Sequence, residues 1–282
     1  MRIRAGRGFA VLVVLVGTTG SLDAQMRRVT SIQPIGEVRS GDLLLGVGMG
    51  RAHDRAFPLA GLSGNLWSVG EITLAYGLGD RALIQLEGAA LRVLSIRGRS
   101  ASAIPLDPGV DDGTISDADD FRVTVAFAPF GSRDGFSAGG IVEVKLPNSD
   151  ESRGIGLNTT DVMLGLLGSW GGGPWRASGR LGVAILEAPL ETFEQNDLAA
   201  YALEVLLRAS PHMRLSVGIE GLANTRDVIP LGTEDVGEVT AGAEWHQGRW
   251  GFDLGLGHGY AGNSPDWRVV AGIAWTRSDS PH

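Results

Sequence analysis

Cysteine is absent from all 282 residues. That removes disulfide stapling, thiolate chemistry and thiolate-bound zinc, and it argues against a lipid-anchored lipoprotein. Long apolar runs are missing as well. The longest, Phe9–Val16, is too short to cross a bilayer as a helix. Positive charge is scarce, with 24 Lys and Arg against 32 Asp and Glu and no basic stripe, so nucleic acid is excluded as a partner. The five histidines, His53, His212, His246, His258 and His282, show no pair at metal-ligand spacing on a common strand, so neither a metal nor a cofactor is expected. Aromatic residues are few at 6%, yet seven of them are Trp. Glycine is abundant, 43 residues without a triplet repeat, which is about twice average usage.

Residues 1–24 carry Arg2, Arg4 and Arg7, then the apolar run, then small residues ending at Ala24. They read as a cleaved secretory signal peptide. Removing that segment leaves a mature chain of charge near −10, from −8 for the whole. A lead at 25–40 precedes the repeating part at 41–276, and a tail follows at 277–282.

In that part, apolar residues recur at every second position in twelve segments: 41–50, 67–78, 81–95, 118–129, 135–146, 160–170, 175–187, 197–209, 212–223, 236–246, 249–260 and 266–276. Period two predicts strands, not helices. In 213–221, Leu215, Val217 and Ile219 oppose Arg214, Ser216 and Glu220. Five connections are tight ("GLGDR", "PFGSRD", "GGGP", "SPH", "QG"), and they alternate with longer ones such as 51–66, 96–117 and 147–159. This arrangement predicts an all-β fold, a twelve-stranded antiparallel up-and-down transmembrane barrel of the outer-membrane type, with both ends on the tight-turn side. Strands of about ten residues tilted by about 40° match its apolar band of roughly 25 Å.

A soluble sandwich has the same alternation, but it would place large rings in mid-strand. Here Tyr76, Phe136, Trp170, Trp175, Trp245, Trp250, Phe252 and Trp275 sit on the apolar face beside the tight turns. Trp67, Phe121, Tyr201 and Trp267 form a thinner set at the loop ends. Amphipathic rings at strand ends are what a bilayer interface selects. Outer-membrane lipid and lipopolysaccharide are therefore the expected surroundings. The last strand, "DWRVVAGIAW", resembles the C-terminal signal read by the barrel-assembly machinery, although "TRSDSPH" follows it.

The other face carries Glu71, Glu87, Arg122, Glu143, Lys145, Asp161, Arg176, Arg180, Glu204, Arg208, Arg214, Glu220, Glu238, Glu244, Asp253 and Arg268. Two readings fit them: a charged constriction that selects solutes, or a plug of ions satisfying one another. Glu204 with Arg214 and Arg180 with Asp161 are candidate pairs across neighbouring strands. Inward glycines (Gly139, Gly165, Gly182, Gly218, Gly242, Gly255, Gly257 and Gly272) imply open space or bent strands. A lipid hydrolase needs a His and a Ser two apart on the outer face. His258 is followed at that spacing by Tyr260, so the nucleophile is missing and no enzyme is expected. The Asp-rich loop, with Asp107, Asp111, Asp112, Asp117, Asp119 and Asp120, lacks EF-hand spacing and reads as a solvated, flexible segment.

"LAYGLGDRALIQLEG" (74–88) and "VEVKLPN" (142–148), with Asp161 opening the next strand and "GSWGGGPWRASGRLGVAIL" after it, are similar to motifs of the meta-pathway phenol-degradation family of outer-membrane proteins. The resemblance covers roughly 70–187. It implies a barrel channel or transporter for small solutes, aromatic or hydrophobic ones among them, with Glu143, Lys145, Pro147 and Asp161 carrying the motif. A closed structural or adhesive barrel is the alternative.

Overall fold

The alternation closes into a cylinder. The computed structural model describes residues 40–132, 135–187 and 196–277; the expected signal segment, nearly all of the expected lead and the tail beyond Arg277 lie outside them. Its strands are β1 (Leu43–Phe57), β2 (Leu62–Gly79), β3 (Ala82–Arg99), β4 (Thr114–Asp117), β5 (Arg122–Gly131), β6 (Phe136–Lys145), β7 (Val162–Gly172), β8 (Trp175–Leu186), β9 (Asn196–Ser210), β10 (Met213–Asn224), β11 (Val236–Gln247), β12 (Trp250–Gly259) and β13 (Trp267–Arg277). Each long strand pairs antiparallel with its neighbours, and β13 returns to β1 with Leu43 opposite Arg277 and His53 opposite Trp267. All twelve expected strands are present. The thirteenth, β4, is a four-residue strand in a loop, paired to the upper part of β3.

Mid-barrel, the outer face is apolar and exposed, with Leu166 at 72%, Leu181 at 65% and Val217 at 58%. Water would not tolerate such a belt around a closed barrel, whereas lipid does. Phe136 lies opposite Trp170, Trp250 opposite Trp275 and Trp245 opposite Phe252, which builds the expected ring beside the tight turns. At the loop ends Tyr201 covers Gly221 and Tyr260 covers Gly237, and their hydroxyls hydrogen-bond. A ring laid over a glycine on the next strand pins register.

Two expectations need correction. Residues 51–66 are not a loop: β1 and β2 run on, leaving only a turn between Phe57 and Leu62. Their extensions and that of β3 bury Ala52, Leu62, Leu66 and Leu94 against Ile104, Val110, Ile115 and Ile155 from the two following long loops. This small apolar core turns what reads as polar loop into sheet. For the same reason the acidic loop is packed and not merely solvated. Asp107 faces Arg153, Asp117 accepts from the Asp150 N–H, and Asp119 contacts Arg92 at 3.1 Å. Asp120 accepts from the N–H groups of Asn148 and Ser149.

Strand irregularities set which side chains face inward. Trp67 and Glu71 share parity, so a regular strand would put both on one face. β2 bulges at Gly70, φ +64°, and sends Trp67 outward and Glu71 inward. A second bulge lies in β1 between Ala52 and Arg55, where Asp54 takes φ +52°.

Candidate functional site

The inward side chains form two storeys. Towards the loops lies a cavity of about 540 Å³. Nine of the sixteen expected lumen residues line it: Glu71, Arg122, Glu143, Lys145, Asp161, Arg180, Glu220, Glu238 and Arg268. Arg55, Arg92, Asp119 and Asp120 line it too, without having been expected there.

Most of these charges are matched. Lys145, buried, lies 2.6 Å from Asp161 and 3.7 Å from Asp120, and donates to the Thr159 hydroxyl at 2.8 Å. Glu143 stands between two arginines, 3.7 Å from Arg122 and 3.8 Å from Arg180. Arg268 reaches Glu238 at 3.0 Å and Glu220 at 3.4 Å. The candidate pair Arg180 and Asp161 is thus redistributed, with Arg180 on Glu143 and Asp161 on Lys145. Apart from Arg51 and Ser68, the rest of the lining is glycine or apolar, with Phe57, Ile155, Leu157, Met163, Leu186 and Leu222.

Below the cavity the lumen is filled. Glu87, Glu204, Arg214, Glu244 and His246 are buried among Leu44, Leu83, Ala126 and Leu206. Arg214 contacts Glu244 at 3.9 Å, His246 contacts the same carboxylate at 3.3 Å, and Gln85 donates to Glu87 at 2.6 Å. Asp253 lies opposite Glu244 on the next strand, and Arg176 is half-buried. Arg208 stands apart: it is exposed where β9 leaves the barrel, so it does not line the enclosed lumen.

Three inward glycines make room for carboxylates. A Cβ on Gly50 would lie 2.7 Å from Glu71 Oε1, on Gly257 2.5 Å from Glu238 Oε2, and on Gly272 2.6 Å from Asp253 Oδ1. Each acid lies over the wall where a side chain is missing, Glu71 and Glu238 in the cavity and Asp253 below it.

His258 faces outward, one ring nitrogen 2.6 Å from the Asp266 carbonyl, and the Tyr260 hydroxyl is engaged by Tyr201. No serine hydroxyl bonds His258 among the described residues.

Neither a family model nor a curated protein matches the sequence. Solved structures do match the fold. An outer membrane channel from Pseudomonas putida F1 superposes with a TM-score of 0.63 at 16% identity, over 86% of this chain and 98% of that one. The NanC porin gives 0.52 at 8% identity, over 82% and 98%. The translocator domain of the autotransporter NalP from Neisseria meningitidis gives 0.51 at 11%, over 83% and 88%. At these identities the likeness is one of fold.

Proposed function

We propose that the barrel lies in a bacterial outer membrane, long loops outward, and passes small solutes. One observation carries this reading: a charge-lined cavity of about 540 Å³ sits inside a cylinder whose outer wall is apolar. Its volume is in the range that holds one small molecule. Two fold neighbours, an outer membrane channel and a porin, agree with it. The resemblance of 74–88 and 142–148 to the phenol-degradation family extends it to aromatic or hydrophobic solutes. The signal segment supplies export, and the last strand is the handle for the assembly machinery.

The filled lower storey favours a second reading, a closed barrel with a structural role. Arg214 and Glu244 decide between the two because they are central to that layer. Single-channel conductance of the refolded mature protein is expected to show discrete steps, larger in the Arg214→Ala/Glu244→Ala double variant. A folded barrel giving no steps in either form, and no swelling of sugar-loaded liposomes, would leave the closed reading standing.

A further inference from the structure

Arg55 is aimed into the cavity by a backbone irregularity. In a regular strand it would share the outward face of Arg51, which lies over the rings of Trp67 and Trp267. The bulge at His53 and Asp54 inserts one residue relative to β2 and turns Arg55 inward. A positive φ at a non-glycine residue is uncommon, and Asp is among the residues that adopt it most readily, so Asp54 suits the bulge.

The guanidinium that this brings inward is poorly satisfied. It has five N–H donors, yet it makes one hydrogen bond, at 3.2 Å to the Asn263 carbonyl, and lies 6.0 Å from the Phe57 ring. Arg92 approaches the same ring at 5.5 Å. Among the described residues no carboxylate comes within ion-pair distance of Arg55, whereas Arg92, Arg122, Lys145, Arg180 and Arg268 each have one. Arg92, Arg268 and Arg122 add positive potential at Arg55, opposed by Glu238. A desolvated charge without a counter-ion is unfavourable, and a planar guanidinium fork suits a carboxylate.

We infer that the cavity binds small organic monoanions, with the carboxylate on Arg55 and an apolar body against Phe57, Ile155, Leu157, Leu186 and Leu222. A cation finds the lining carboxylates engaged by Arg92, Arg122, Lys145, Arg180 and Arg268. A polyanion meets Glu71, Glu220 and Glu238 on the same wall. A single negative charge with an apolar body fits both restrictions.

The inference deepens the solute-channel reading and rests on it for its biological meaning, but binding is measured without conduction. The refolded mature protein in detergent is titrated calorimetrically with hexanoate and benzoate, and with their uncharged amides as controls. The anions are expected to bind about tenfold or more tightly than the amides, the scale set by pairing a desolvated arginine. Arg55→Gln is expected to abolish that preference and Arg55→Lys to restore part of it; retention of the compact gel mobility of unheated barrel reports folding. Equal binding of acids and amides by the wild type would overturn the proposal, and so would an anion preference that survives in folded Arg55→Gln. Should Arg55→Gln fail to fold, Asp54→Gly/Arg55→Lys and the wild-type acid-to-amide ratio decide alone. Anion binding without conductance or liposome swelling would refute the channel and leave the site, and conductance without anion binding would do the reverse.

Discussion

Lys145 shows what a buried ion does for the loop end. Asp161 and Asp120 both lean on its ammonium, so Lys145→Met leaves two carboxylates facing each other without a counter-ion. Breaking a buried pair on one side costs about 3–5 kcal/mol, and urea unfolding in lipid vesicles is expected to show a loss of that order. Adding Asp120→Asn and Asp161→Asn should recover most of it. The loop aspartates also titrate in opposite senses. Burial pushes the Asp117 carboxyl above its ordinary 3.8, more than its backbone hydrogen bonds pull it down. Burial pushes Asp120 the same way, but Ser149, the Asn148 N–H and Lys145 outweigh it and hold the carboxyl below 3.8. The stability lent by Asp120 is therefore complete above the ordinary value and is lost as pH falls through the depressed one. Asp117 contributes the reverse. Carboxyl-carbon NMR is expected to show Asp117 protonating first and Asp120 after it. At this scale the sequence was least legible. Glu143, Lys145 and Asp161 obey simple alternation and were readable, whereas Arg55 is reversed by a bulge at an ordinary-looking Asp54. Trp67 and Glu71, assigned to opposite faces with the same parity, were the one readable sign that an extra residue lay between them.

At the scale of elements, β1, β2 and β3 owe their upper extensions to the apolar core above the barrel. Leu94 is wholly buried there. Leu94→Ala should loosen the β1–β3 extensions by about 2–5 kcal/mol, seen as faster hydrogen exchange at residues 58–62 and 100–117 while mid-barrel amides stay protected. Gly70 is the matching case in the wall. At φ +64° any side chain is strained by about 1–2 kcal/mol, so Gly70→Ala is expected to lower the unfolding midpoint with the barrel otherwise intact. Period and turn chemistry located every long strand but undershot the upper ends of β1 and β2, because the partners that bury those ends come from loops distant in sequence.

For the molecule as a whole, the two faces are solvated differently, and the same substitution tells them apart. Leu166, outward and 72% exposed, sits mid-strand in β7, where Leu166→Arg should cost about 2–4 kcal/mol in a bilayer. The penalty should shrink in short-chain detergent micelles, where the side chain reaches water easily. An unchanged midpoint in vesicles would contradict the lipid-facing assignment of that wall.

The seam between β1 and β13 has a topological consequence. Leu43 and Arg277 are register partners, so the two ends of the strand series meet at the tight-turn rim much as two strands meet at any hairpin there. A short bridge from one to the other would turn the chain into a ring, and cutting that ring at the turn between β9 and β10, or between β11 and β12, would give a permuted sequence with every pairing kept. The order of strands along the polypeptide is linear, but the cylinder they build has no first strand.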